Sequence, residues 1–265
     1  MLPTPSTSHL TFSNIYEPSE DSFLFLDTLS NTSQTGYHTT RFPPQSPTPL
    51  IVEIGTGSGV ISAFVTAHAQ VLFGRSDTAV LGVDVNAFAC VGTSETVRGA
   101  VRDVTIAPQS PNQAASGTGI WLDAINDDLT KCLRPHSVDV LLFNPPYVPS
   151  ESVPLSLPHD ELNDKPLDRH QLFARDSNYL ALATDGGADG MEVTNKLLAQ
   201  LPDVLSERGM AYVLLCAQNR PEEVKKRIRG WNGGGEWEAE TVGDSGRKGG
   251  WEKLQIVRVA RRITR

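Results

Sequence analysis

Residues 52–60 read VEIGTGSGV, Val-Glu-Ile-Gly-Thr-Gly-Ser-Gly-Val. The apolar run before it, LIVEIG (50–55), has the length of a buried strand. The stretch that follows, SGVISAFVTAHAQ (58–70), has helical texture. Glycines at the junction let the chain turn sharply and approach a ligand closely, and a loop of this kind opening a helix is a common cradle for a nucleotide cofactor. The dinucleotide fingerprint asks for a glycine where Val60 stands. In its place the chain offers Glu53 ahead of Gly55, Gly57 and Gly59. A carboxylate there suits the ammonium of an amino-acid cofactor and opposes a pyrophosphate, which favours S-adenosylmethionine over NAD. The competing reading is a tight strand-to-helix turn with no ligand.

Moving outward, segments of strand length alternate with helix-like ones. Strands are expected at AVLGVDV (79–85), IWLDAI (120–125), VDVLLF (138–143), GMAYVLLCA (209–217) and KLQIVRVA (253–260). Helices are expected at 19–30, 86–100, 195–207 and 221–230. In the first of these, Ser19 is the candidate N-cap and Phe23, Leu26 and Leu29 repeat at helical spacing. Such alternation indicates an α/β fold with a parallel sheet covered on both faces. Residues 1–14 read as a flexible lead. Segments 31–48, 103–118, 155–175 and 231–248, rich in Gly, Pro, Ser, Thr and Gln, read as loop insertions in one domain spanning 1–265.

Composition narrows the function. The chain has 265 residues, 39% of them hydrophobic, and a net charge of −8. The acidic balance lacks the basic footprint of a nucleic-acid binder, so nucleic acid is not the expected partner. The three cysteines, Cys90, Cys132 and Cys216, are widely spaced, which argues against a disulfide framework. The six histidines are scattered, so no metal is expected on this chain. No apolar run suits a bilayer span and no secretory signal is legible, so a soluble intracellular protein is expected, in the cytoplasm or also the nucleus. Lys225, Lys226, Arg227 and Arg229 read as a solvated basic stripe on a helix.

Two further positions bear on the cofactor. Asp84, at the tip of the second strand, is placed to accept from a ribose diol; the alternative is a helix N-cap near Asn86. After the third strand, NDDL (126–129) offers Asp128 for the adenine amino group, with Asp127 as its neighbour and an ordinary helix start as the alternative.

The fourth strand ends on Asn144-Pro145-Pro146-Tyr147. In a doubly wound sheet its C-terminal end lies beside the cofactor loop. A planar NH2 group is a poor nucleophile, because its lone pair is delocalised, and it has two N–H donors to satisfy in a dry site. The Asn144 side-chain oxygen can accept one and the Pro145 carbonyl the other, while Tyr147 stacks on the plane. The prolines have no N–H and hold the turn rigid. The bland alternative is a proline-rich strand stop.

The combination VEIGTGSG, GVDVN, NDDL and FNPPYVPS resembles the HemK-type glutamine N5-methyltransferases that modify peptide-chain release factors. YEPSEDSFLFLDTL (16–29) is similar to the opening signature of their short eukaryotic and archaeal branch, and GGADGMEVTNKLL (186–198) matches a later family segment. The resemblance implies a Rossmann-like class I S-adenosylmethionine-dependent methyltransferase with a mostly parallel seven-stranded sheet. It implies as substrate the glutamine of the Gly-Gly-Gln tip of the eukaryotic class I release factor. It also implies a heterodimer with a small zinc-binding activator protein. By position, Asn144, Pro145 and Tyr147 would hold the glutamine amide, and Glu53, Gly55, Gly57, Asp84, Asp128 and Asn144 would line the cofactor site. Tyr16 and the turn from Glu20 to Ser22 would close over it. The apolar strand Ile120–Ile125, at the sheet edge in this fold, invites a strand from the activator; the alternative is that other parts of the chain cover that edge. Exocyclic adenine amines and lysine amines remain open as alternative acceptors.

Overall fold

The computed structural model describes residues 2–106, 117–155, 168–246 and 253–262. Seven strands form one sheet in the order β3-β2-β1-β4-β5-β7-β6. They are β1 (Leu50–Ile54), β2 (Ala79–Asp84), β3 (Ile120–Asn126), β4 (Val138–Phe143), β5 (Leu205–Cys216), β6 (Trp237–Asp244) and β7 (Leu254–Arg261). β1 to β5 pair in parallel, whereas β7 runs antiparallel between β5 and β6. This is the mostly parallel seven-stranded sheet that the resemblance implies. The chain reverses its order between β1 and β4, and in open α/β sheets ligands collect at that switch point.

The strands alternate cleanly between two cores, as a period of two requires. Val52, Ile54, Leu141, Phe143, Ala211 and Val213 face one core with Leu197, Leu198 and Leu201 of α7 (Glu192–Val204) and Ile228 of α8 (Pro221–Arg229). Ile51, Val140, Leu142, Met210, Tyr212 and Leu214 face the other. There they meet Phe25, Leu26 and Leu29 of α1 (Glu20–Ser30), Ile61 and Phe64 of α3 (Val60–Ala67) and Leu72 of α4 (Ala69–Phe73). All six residues of β4 are buried. A strand covered on both faces therefore delivers Asn144 to its C-terminal end with little freedom.

Several expectations need correction. Segment 31–48 is not a loop, because α2 (Thr32–Arg41) occupies most of it, with Asn31 capping Ser33 N. In α1 the inward face includes Ser22, Phe25, Leu26 and Leu29, at i, i+3, i+4 and i+7, with Asp21 and Thr28 also buried, while Phe23 faces outward at 44% exposure. Ser19 stands at the N-cap position, but its side chain makes no capping bond. The lead is not free: Pro3 O accepts from His68 Nε2 at 3.1 Å, and Leu10 packs over Gly92. The helix at 86–100 is longer, α5 (Ala87–Ile106), so 103–106 is helical, and 107–116 lies outside the described residues. Of insertion 155–175, residues 156–167 lie outside the described residues, and the remainder enters α6 (Arg169–Thr184). Segment 231–248 contains the edge strand β6, with 247–248 outside the described residues. Lys225 is buried, bonded to Glu222 and Thr241, and does not belong to a solvated stripe. Among the described residues no helix is long and apolar enough to cross a membrane.

Candidate active site

The glycine loop is locked from two sides, by β2 and by α5 (Ala87–Ile106). Gly55 N donates to Val83 O of β2 at 2.8 Å, and Gly57 N donates to Asp84 Oδ2 at 2.9 Å. Threonines of α5 close the second side: Thr93 Oγ1 meets Thr56 Oγ1 at 2.9 Å, and Thr96 Oγ1 donates to Ser58 O at 2.7 Å. Gly59 begins α3 at φ +75°, and a Cβ there would lie 2.6 Å from Thr93 Cα. Only glycine permits both that backbone and that approach.

The loop floors a cavity of about 290 Å3, near the small end of ligand pockets, about 300–1,000 Å3. Three buried acids line it, Asp21, Glu53 and Asp84. Glu53 Oε2 accepts from Ser62 N at 2.8 Å and from Ser62 Oγ. Burial pushes its carboxyl up to about 8. Burial also raises Asp84, although Gly57 N, Asn86 N and Thr56 Oγ1 donate to it and work in the opposite direction. Two reluctant carboxylates in one dry cavity favour a ligand with positive charge, and a methyl-bearing sulfonium with an ammonium has that character.

On the acceptor side, Asn144 Nδ2 donates to Asp21 Oδ2 at 3.0 Å. Its Oδ1 is buried and has no hydrogen-bond partner. An orphaned buried acceptor is costly, so it marks a place where a ligand donor belongs. The turn carrying Asn144 is braced from behind by residues 184–191. Val148 N donates to Thr184 O, Gly186 N to Val148 O and Ser150 N to Gly187 O. Gly190 sits so close that a Cβ would lie 2.0 Å from Tyr147 O. Buried Asn219 ties the layers together: its Nδ2 donates to Tyr147 O at 3.2 Å and to Asp189 O at 2.9 Å, while its Oδ1 accepts from Cys216 N of β5.

The chain matches no protein-family model. It is 31% identical over 234 residues to human "Methyltransferase HEMK2", covering 85% of this chain and 84% of the relative. The chain belongs to the HEMK2 methyltransferase family. It is also 29% identical over 264 residues to the fission yeast Schizosaccharomyces pombe protein named "eRF1 methyltransferase catalytic subunit mtq2", covering 98% of this chain and 96% of that one. An archaeal relative from Methanocaldococcus jannaschii, named as a putative protein N5-glutamine methyltransferase, is 25% identical over 215 residues, covering 81% of this chain and 79% of that one. As a member of the HEMK2 family, the chain is an S-adenosylmethionine-dependent methyltransferase.

In this HEMK2-family cavity the structure gathers Tyr16, Ser22, Glu53, Gly55, Gly57, Asp84, Asp128, Asn144 and Pro145. Two expected residues are not among its lining. Glu20 faces solvent at the start of α1, and Asp21 turns inward in its stead. The Tyr147 ring packs against the core that contains Phe25 and Leu254 and does not lie in the cavity wall. Asp128 is half exposed and paired with Lys131 at 2.7 Å. Asn86, not Asp84, caps α5, through Oδ1 to Phe88 N at 3.0 Å.

Residues that sequence reasoning missed line the wall as well: Tyr179, Leu182 and Ala183 of α6, and Val193 and Lys196 of α7. α6 is seated by Arg175 over the Phe88 ring at 4.9 Å and by Asn14 Nδ2, which donates to Asp176 Oδ1 at 3.4 Å. The signal for the α7 pair was available, since GGADGMEVTNKLL had been singled out and both residues lie within it.

Proposed function

We propose that the chain is the catalytic subunit of a release-factor methyltransferase. Its substrate is the glutamine of the Gly-Gly-Gln motif in the eukaryotic class I release factor, methylated at the side-chain nitrogen. The observation that carries this reading is the buried Asn144 Oδ1 without a partner, at the end of a strand beside the cofactor loop. The names of the fission yeast and archaeal relatives support the same acceptor.

S-adenosylmethionine, when bound, supplies an electrophilic methyl group. Glu53 would hold its ammonium, Asp84 its ribose and Asp128 its adenine amine, with Gly55 and Gly57 giving close approach and Tyr16 and Ser22 closing the opposite wall. Asn144 Oδ1 accepts one N–H of the glutamine amide, and the Pro145 carbonyl accepts the other. Two acceptors orient the nitrogen and stabilise the positive charge that grows on it as it attacks. The nitrogen then sheds one proton to water, so no strong base is needed beforehand. Residues 1–265 act as one catalytic domain working in the cytoplasm.

The edge of β3, which pairs with no further strand among the described residues, is assigned to a small zinc-binding activator subunit. Ile120 and Leu122 are 54% and 51% exposed, and Val97, Val101 and Ile106 of α5 line a shallow groove with Leu122. Exposed apolar residues on an edge strand are a hazard that a partner strand removes. Trp121, expected at this surface, packs inward instead.

The test is methyl transfer, followed by mass spectrometry, to intact release factor, to a variant with the motif glutamine replaced by alanine, and to DNA. Modification confined to the intact factor supports the reading. Equal labelling of the glutamine-less factor, or of DNA alone, overturns it.

A further inference from the structure

The Asn144 side chain has two ends of nearly the same size. One is an acceptor that suits an NH2 substrate and the other is a donor that repels it. Something must choose between them. Asp21 makes that choice. It is 3% exposed and lies 123 positions earlier in the chain, in the first turn of α1. Its Oδ1 is occupied by Ser22 N at 2.6 Å and Ser22 Oγ at 3.3 Å. Its Oδ2 accepts from Asn144 Nδ2 at 3.0 Å. An ionised carboxylate only accepts hydrogen bonds, so Asn144 must turn its NH2 toward Asp21. The Asn144 oxygen is thereby left as the buried atom without a partner.

We propose that Asp21 is a positioning residue for methyl transfer, holding the Asn144 amide in the rotamer that offers oxygen to the substrate nitrogen. The proposal rests on the acceptor role assigned to Asn144 above. Asp21 touches neither the reacting nitrogen nor the methyl group; it acts through the Asn144 amide. It also gives the N-terminal helix a chemical task, since α1 supplies the group that orients the end of β4.

Asp21→Asn tests this with almost no change in shape. Ser22 N still requires an acceptor, so the new side chain keeps its oxygen there and aims NH2 at Asn144. Asn144 then answers with its own oxygen and turns NH2 toward the substrate. With the enzyme assayed as the complex purified from its own cells, the expected kcat falls about 100-fold, the scale of losing one preorganised hydrogen bond. The Kd for S-adenosylhomocysteine stays within about twofold of wild type. The double swap Asp21→Asn with Asn144→Asp restores an oxygen facing the substrate and keeps the net charge. It is expected to recover at least about tenfold in kcat over Asp21→Asn. A purely structural role for Asp21 predicts no such rescue.

Wild-type kcat in Asp21→Asn, or a swap no faster than the single variant, overturns the proposal. If Asp21→Asn proves unfolded in thermal melts, the swap is compared with Asn144→Asp alone, and a swap no faster than that variant overturns the proposal. Asn144→Ala separates the levels: if it too retains wild-type turnover, the underlying functional reading fails, whereas an inactive Asn144→Ala beside a fully active Asp21→Asn sinks only the positioning role.

Discussion

The two walls of the cavity are built differently. On the cofactor side, α3 has all eight residues buried, and the loop before it is held by bonds from β2 and α5. On the acceptor side, α6 has sixteen residues, of which only Tyr179 is buried, and Phe173 is 75% exposed. One wall is core that happens to be concave. The other is a turn and a helix laid over the opening, with an acceptor left without a partner. The difference suits their tasks, because a small cofactor of constant shape can be met by a rigid cradle. On the function proposed above, a glutamine on another protein has to enter and leave, which suits the few buried contacts of α6.

This contrast can be broken most forcefully by adding methyl groups at its closest approaches. Gly59→Ala places a Cβ against Thr93 at positive φ, so a loss of about 2–4 kcal/mol in stability is expected, together with loss of cofactor binding. Urea melts and calorimetry check both. Gly190→Ala drives a Cβ to 2.0 Å from Tyr147 O, again at positive φ, +66°, and should cost a similar amount in stability, about 2–4 kcal/mol. Its turnover should fall further than its cofactor affinity, because the strain enters the substrate turn. Equal losses in both quantities would erase the distinction between the walls.

Hydrogen exchange sharpens the same comparison. Amides of α3 and β4 should exchange only on global unfolding, whereas those of α6 should exchange through local opening, faster by orders of magnitude. Uniform protection across α3 and α6 would contradict it.

A smaller effect follows from Glu53. Its carboxyl stands at about 8 in the folded chain against the ordinary 4.5. A proton held more tightly in the folded state adds stability that is complete below about pH 4.5 and is lost as pH rises through about 8. Unliganded wild type should therefore lose stability between pH 5 and 9 relative to Glu53→Gln. A cation-bearing cofactor that pairs with the ionised form releases that proton, so affinity should climb by up to about tenfold per pH unit below pH 8. Calorimetry in buffers of different ionisation enthalpy detects the proton directly.

What sequence reading could and could not see divides along the same line. β1, the glycine loop, β2 and β4 were legible, because apolar runs ending in glycine, acid or Asn-Pro-Pro-Tyr have few other readings. Strand pairing followed from that alternation. α6 was invisible because RHQLFARDSNYLALAT buries one residue and so has no apolar stripe to detect. α2 was missed for the opposite reason, since its inward face is polar. His38 donates through Nδ1 to Leu72 O and meets the Tyr212 hydroxyl through Nε2 at 2.7 Å, and Arg41 donates to Arg208 O and Arg261 O. Burial pulls the His38 imidazole down to about 4, so it stays neutral in that role. A helix that satisfies buried polar groups across the chain carries no local hydrophobic signal. β6 was obscured by the surrounding glycines, although Trp237 and Ala239 point inward at the expected spacing of two. Asp21 was hidden by its neighbours: Glu20, Asp21 and Ser22 are all plausible in a first helical turn, and only the fold shows which one faces Asn144.

The account rests on the Asn144 oxygen, and one measurement addresses it directly: single-turnover methyl transfer to intact release factor by Asn144→Ala, alongside the cofactor Kd of the same preparation. The expected result is a transfer rate lower by at least about 100-fold, with cofactor affinity within about twofold of wild type. A transfer rate equal to wild type, or a rate that falls only in proportion to lost cofactor binding, would contradict the assignment.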